Sequence, residues 1–248
     1  MAKFSTLILL YFILAAAPLA AQSKAEKVLH KAAEACEQAR QGSYTVLYKH
    51  KFFASSDTLA KTGDVYFQKS ADDKIGAKLK LMVAGEADRI YNGHKLYLID
   101  HQQKTILQVD NAAGAFNFIR GNPSGNLILN PLAVDSDVFQ QLAGSRDIQK
   151  SMGKAAKVAG VSCYTLTVRF ADNAQDQAKN SYRIYYIGKK DFLPRKYEDF
   201  LEWQGQQQYI MVELKNLQVN QPQDTARYSI NALPDDYKIE KYTPAEQR

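Results

Sequence analysis

Residues 43–110 read SYTVLYKHKFFASSDTLAKTGDVYFQKSADDKIGAKLKLMVAGEADRIYNGHKLYLIDHQQKTILQVD, and this stretch decides the fold. It predicts short antiparallel strands at 44–53, 63–69, 77–83 and 105–109, with a hairpin across 89–99. Polar turns separate them at Ser55-Ser56-Asp57, at Asn92-Gly93 and from His101 to Lys104. Asn-Gly between strand-like runs is the sequence signature of a type I′ turn. The alternation is clearest at 77–83, where Ala77, Leu79, Leu81 and Val83 oppose Lys78, Lys80 and Met82. Elsewhere apolar side chains fall on both faces. Val46, Tyr48 and Phe52 oppose Leu47 and Phe53, and Leu96 and Leu98 oppose Tyr97 and Ile99. An antiparallel sheet with one wet face alternates cleanly, so here both faces are covered or one lines an apolar cavity.

Upstream of this stretch the spacing predicts one helix over 23–40. Ser23 and Glu26 form a capping box, and Ala25, Leu29, Ala32, Cys36 and Ala39 recur on one stripe. The stripe is narrow and made of small residues, which suits close packing on a sheet, and Gly42 is a suitable stop. Downstream, the rhythm breaks over 111–145. Ala113, Phe116, Phe118 and Ile119 precede Gly121-Asn122-Pro123-Ser124-Gly125, and an apolar run leads into a short helix near 135–142. Long connections of this kind are often lids or binding loops, and a permanent helical plug fits the same residues. Strands resume near 155–158 and 161–170, with Ala159-Gly160 as a turn, and continue at 182–187, 193–200 and 207–219. A tail holds Tyr228-Ser229-Ile230, Leu233-Pro234 and the run 237–242. The expected fold is mainly β (α+β). It is a strongly curved antiparallel half-barrel of roughly 10–11 strands, with an N-terminal helix and a helical insert covering the concave face.

The first residues carry a targeting pattern. Lys3 precedes an apolar run from Leu7 to Ala17, followed by Pro18-Leu19-Ala20-Ala21-Gln22. This reads as a signal peptide, 1–21, cleaved after Ala21, with one domain over 22–248 and a periplasmic destination. The chain of 248 residues carries a formal net charge of +6. Its lysines are dispersed, and the export signal argues against nucleic acid as a partner. Cys36 and Cys163 reach a compartment in which disulfides form. Both also fall on apolar stripes, where a free cysteine packs as a small hydrophobe. There is no CxxC.

No catalytic constellation stands out. His30, His50, His94 and His101 lack metal-ligand spacing, and Cys163 sits mid-strand without a nucleophile signature. Asp57 and Asp64 suit loop polarity as well as acid–base work. The fifteen tyrosines are first of all good strand residues, and their amphipathic rings also suit the wall of an apolar pocket.

An exported chain with an N-terminal helix, then a long meander broken by apolar helical loops, resembles the periplasmic LolA/LolB/RseB-like superfamily. Asp57…Gly63-Asp64-Val65-Tyr66-Phe67, Ile90-Tyr91-Asn92-Gly93-His94-Lys95-Leu96-Tyr97 and Phe192-Leu193-Pro194-Arg195-Lys196-Tyr197-Glu198 look like LolA-type proteins of the Bacteroidetes envelope, outer-membrane lipoprotein-sorting proteins. The resemblance implies a curved sheet whose concave side takes lipoprotein acyl chains, or senses them. It departs in one respect. The family's carrier holds its lid with an early-strand arginine, and no arginine occurs between Gln41 and Asp88.

The expected function is therefore a periplasmic carrier, not an enzyme, that shields an acyl chain or other hydrophobic ligand without cofactor or metal. The expected lining is Leu79, Leu81, Val83, Leu98, Phe116, Phe118, Leu166 and Val168. The alternative is an envelope sensor of RseB type whose ligand is a protein partner, held at the rim or at 111–145. Transient membrane contact is compatible with both.

Overall fold

A computed structural model describes residues 23–73, 75–110, 130, 132–134, 137–172, 178–231 and 233–242. The expected signal peptide, and Phe116 and Phe118 of the expected lining, lie outside the described residues.

Helix α1 spans Lys24–Gln38. Its capping box is complete: Glu26 N–H donates to Ser23 Oγ at 3.2 Å, and Ser23 N–H donates to Glu26 Oε2 at 2.8 Å. Both contacts satisfy backbone donors that a helix start leaves orphaned. The strands then follow in order: β1 Gln41–Lys51, β2 Leu59–Lys69, β3 Ala77–Val83, β4 Asp88–Tyr91, β5 Leu96–Asp100 and β6 Thr105–Val109. After helix α2, Val138–Gly144, come β7 Gln149–Met152, β8 Ala156–Val158, β9 Val161–Arg169, β10 Ala178–Gly188, β11 Pro194–Trp203 and β12 Gln206–Val219. A 3-10 turn at Thr225–Tyr228 and β13 Lys238–Tyr242 complete the order.

The strands form one open, curved, 13-stranded sheet in the order β13-β6-β5-β4-β3-β2-β1-β12-β11-β10-β9-β7, with β8 also paired to β9. All pairings are antiparallel except β13 on β6, which is parallel. The sheet therefore has more strands than the 10–11 expected. The additional strands are β13 and β7, Gln-Lys-Ser-Met, which lies at an edge and has no apolar alternation to reveal it; edge strands are commonly short and polar. β13, Lys-Ile-Glu-Lys-Tyr, is exposed throughout at the other edge.

One turn and one helix end differ from expectation. Between β4 and β5, Asn92 accepts from His94 N–H at 3.0 Å and Lys95 N–H at 2.9 Å through its side chain. Only Gly93 in that turn has positive φ, +101°, so the hairpin closes through an Asx turn instead of type I′. The two-residue turns Ala159-Gly160 and Gln204-Gly205 have positive φ at both positions, the type I′ pattern. Gly42 does not end α1. The helix stops at Ala39, where Asn220 takes over: its amide Nδ2 donates to the Gln38 carbonyl at 3.0 Å, and its Oδ1 accepts from Arg40 N–H at 2.9 Å. Gly42 instead sits inside β1, where a Cβ would lie 2.5 Å from the Gln218 carbonyl oxygen and 2.7 Å from the Phe67 ring.

The helices α1 and α2 share one face of the sheet, called here the inner face. Their apolar residues join Tyr44, Val46, Val65, Phe67, Leu79, Leu81, Leu166 and Val212 in one buried cluster. On the outer face Ile90, Tyr97, Ile99 and Ile106 form a second cluster, packed by Ile230, Leu233 and Tyr237. This explains the two-faced pattern of residues 89–109. The described part of the insert lies on the same side as α1, and the C-terminal tail covers the other.

Candidate functional site

Among the described residues the inner face carries the larger of the sheet's two apolar clusters. Register fixes which side chains share it, because residues directly opposite in neighbouring strands point to the same side. Leu79, Leu81 and Val83 of β3 and Leu166 and Val168 of β9 are all buried in the inner cluster, and Leu98 is partly buried against it. Residues from the two halves of the sheet, far apart in sequence, are thus gathered into one core. They are packed under α1, Leu132, Ala133 and Phe139, and the described clefts are lined by other residues.

The cover over this core is made of small side chains. The buried residues of α1 are Ala25, Val28, Leu29, Ala32, Ala33 and Cys36. Two lysines from the sheet hold its ends. Lys69 of β2 donates to the Cys36 carbonyl in the last turn at 2.6 Å, beside the Ala39 N–H that bonds the same oxygen at 3.2 Å. Lys150 of β7, its side chain 8% exposed, reaches Glu26 Oε1 at 3.3 Å and donates to the carbonyls of Ala143 and Ser145 at 2.8 and 2.7 Å. It thereby joins the start of α1, the end of α2 and the sheet edge. His30 Nδ1 and Gln140 Oε1, 3.0 Å apart, link the helices directly.

Polar groups interrupt the inner face at defined points. Asn130 donates to the Tyr44 hydroxyl at 2.7 Å. Arg183 pairs with Asp199, donates to the Tyr185 hydroxyl at 3.1 Å and lies 5.1 Å over the Tyr197 ring. His50 meets Tyr48 Oη at 2.9 Å and Gln208 Nε2 at 3.0 Å, and burial holds its pKa below the ordinary histidine value. A cleft of about 210 Å³ beside this network is lined by Phe170, Arg183, Asp199, Leu201, Gln208 and Ile210 among others. At the same end of the strands Phe52, Leu59, Phe170 and Trp203 are exposed.

Arg89 of β4 is a further inner-face residue. It pairs in register with Leu81 on one side and Leu98 on the other. It is 7% exposed, and its Nη2 donates to Glu86 Oε2 at 2.9 Å. Lys61 bonds the same carboxylate. Arg89 Nε and Nη1 are buried and have no hydrogen-bond partner. None of these polar residues was expected as a site residue. The signal for Arg89 was its place in the alternation, because an inward Tyr91 makes the residue two positions earlier inward as well.

Among the described residues no group of three or more His, Cys, Asp and Glu could hold a metal ion, and no helix is long and apolar enough to cross a membrane. Cys36 and Cys163 are both free and buried. Burial pushes the Cys36 thiol up to about 12, and it raises that of Cys163.

No protein-family model and no curated protein matches the sequence. Several solved structures are similar in fold, and LolA superfamily and MucB structures are among them. The Pseudomonas aeruginosa MucA/MucB complex aligns at TM-score 0.46 and 15% identity, over 84% of this chain and 61% of that one. LprF from Mycobacterium bovis aligns at TM-score 0.49 and 9% identity, over 81% and 96%. A LolA superfamily protein from Nitrosomonas europaea aligns at TM-score 0.34 and 10% identity, over 82% and 97%. The chain spans about three-fifths of the first of these.

Proposed function

We propose that this chain is a periplasmic binding protein that shelters a hydrophobic ligand, an acyl chain foremost, against the inner face of a half-barrel. The observation that carries this reading is the cover. An apolar cluster that reaches from β3 to β9 is covered by a helix whose buried residues are mostly small and whose two ends are held by lysines. Such a helix exposes little apolar area when it lifts, so ligand contacts can replace its own. Each buried methylene contributes ~0.8 kcal/mol, and a chain of a dozen carbons offsets the displaced packing without any ionic contact.

In this reading Leu79, Leu81, Val83, Leu98, Leu166 and Val168 become the lining when the cover moves, together with Phe116 and Phe118 of the insert. Titration with a fluorescent fatty acid tests it. Saturable binding is expected, and Leu81→Arg abolishes it while urea unfolding still shows a folded sheet. A folded wild-type protein that takes up no fatty acid overturns the reading.

A second reading is a sensor or adaptor that docks a protein partner. The exposed rim of Phe52, Leu59, Phe170 and Trp203 favours it, since clustered exposed apolar side chains mark interaction surfaces. Recovery of one stoichiometric partner from envelope extract, lost in Phe52→Ser/Trp203→Ser, distinguishes it from the carrier.

A further inference from the structure

We propose that Arg89 is the anchor for the negatively charged head of an amphiphilic ligand, a long-chain carboxylate, whose chain lies along the inner face. The inference rests on the reading of that face as an apolar ligand site and adds the chemical class of the ligand.

The register places Leu98, Arg89, Leu81, Val65 and Tyr44 in one row across β5, β4, β3, β2 and β1. Arg89 is thus the cation in an otherwise largely apolar row. A buried guanidinium ordinarily spends its donors on carboxylates, carbonyls or hydroxyls, because an unmet buried donor is costly. Arg183 does so, with Asp199 and Tyr185. Arg89 does not: only Nη2 is used, on Glu86, and Nε and Nη1 remain buried without acceptors. Glu86 is moreover shared with Lys61, so its charge is divided between two cations. Arg195 shows the same two unmet nitrogens, but it sits at the register shift beside the β10–β11 turn, and its partner Asp191 is exposed.

Donors held ready in an apolar, water-poor surround favour an anionic acceptor strongly, since charge-assisted hydrogen bonds are shorter and stronger there than neutral ones. A carboxylate next to Arg89 accepts from Nη1 or Nε while its alkyl chain runs past Leu81 and Val65. Leu98, at the end of the row, is only partly buried.

The test compares parinaric acid with its methyl ester, which has the same chain and no charge. Fluorescence titration of the full chain at neutral pH is expected to show the acid binding at least roughly tenfold tighter, the size of one good charge-assisted contact. Arg89→Gln brings the acid down to the level of the ester and leaves the ester unchanged, because Lys61 still neutralises Glu86. Arg89→Lys keeps part of the preference. Equal wild-type affinities for acid and ester overturn the role of Arg89 while the apolar site stands. Binding of neither probe overturns the apolar site itself. Where Arg89→Gln fails to fold, the wild-type ratio and Arg89→Lys decide the matter.

Discussion

Lys69, in the last position of β2, donates its ammonium to the carbonyl of Cys36 at 2.6 Å, and so ties the end of α1 to the sheet it covers. Lys150 does the same for the start of the helix through Glu26. Lys69→Met removes one tie and leaves the Cys36 carbonyl with its longer bond from Ala39 N–H, 3.2 Å. The expected result is an opening free energy for the α1 amides lower by about 1–3 kcal/mol, read by native-state hydrogen exchange, with a smaller change in β1 and β12. Unchanged α1 protection would count against the latch.

Glu26 makes the start of α1 sensitive to acid. Its pKa lies below the ordinary value of 4.5, because the Ser23 backbone N–H, Lys150 and the Ser23 hydroxyl all stabilise the carboxylate. A folded-state pKa below the unfolded one means stability is fully present above the ordinary glutamate range and is lost as pH falls through the folded value. The α1 amides should therefore exchange faster, relative to the sheet, as pH drops below 4.5. Glu26→Gln should flatten that dependence, and an identical profile in both proteins would refute the assignment.

Gly42 is required for lack of a side chain. A Cβ there meets the Gln218 carbonyl oxygen and the Phe67 ring inside contact distance, so Gly42→Ala should cost about 1–3 kcal/mol in urea unfolding. Gly144, at the end of α2, has nothing within 4 Å of its Cβ position. Gly144→Ala should change stability by less than about 0.5 kcal/mol. Equal effects at the two sites would show that chain entropy, not the close approach, sets the cost.

The tail stabilises the outer face. Tyr237 packs on the Ile90, Tyr97, Ile99 and Ile106 cluster, and its hydroxyl lies 2.8 Å from His101 Nδ1. Tyr237→Ala should lower global stability by about 2–4 kcal/mol and leave fatty-acid affinity unaltered, because the inner face is untouched. A parallel loss of affinity would place the ligand on the outer face.

Both thiols should resist modification in the folded protein. Cys36 is 0% exposed and its thiol is raised to about 12, so the reactive thiolate is scarce. Mass spectrometry after maleimide treatment should find no adduct under native conditions and two in urea. An intramolecular disulfide in the purified protein would contradict the free thiols.

The alternation of Ala77 to Val83 and the capping box at Ser23 were legible because each is local: a two-residue period and a three-residue spacing suffice to place a strand and a helix start. Residues 96–99 announced apolar side chains on both faces, yet nothing local says what covers each. Ile230, Leu233 and Tyr237 reach Ile99 across more than 100 residues, and hairpin logic does not anticipate a tail that returns as a parallel edge strand beside β6. Of the expected lining residues, Leu79, Leu81, Val83, Leu166 and Val168 lie in one cluster with Leu98 partly buried against it, but as a closed core. That outcome depends on how tightly Leu29, Ala32 and Phe139 seat against them, a property of packing and not of pattern.

Taken alone, the sequence determined that this is a mainly β chain with one capped helix before a meander and an insert after it, because periodicity and turn chemistry act over a few residues. Tertiary structure decided the rest. It put α1 and the described part of the insert on one side, closed the inner face with Lys69 and Lys150, and left two nitrogens of Arg89 unmet between Leu81 and Leu98. These features arise from strands whose order in space, β3-β2-β1-β12-β11, departs from their order in the chain. Side-chain partners are therefore chosen by a register that no local stretch encodes.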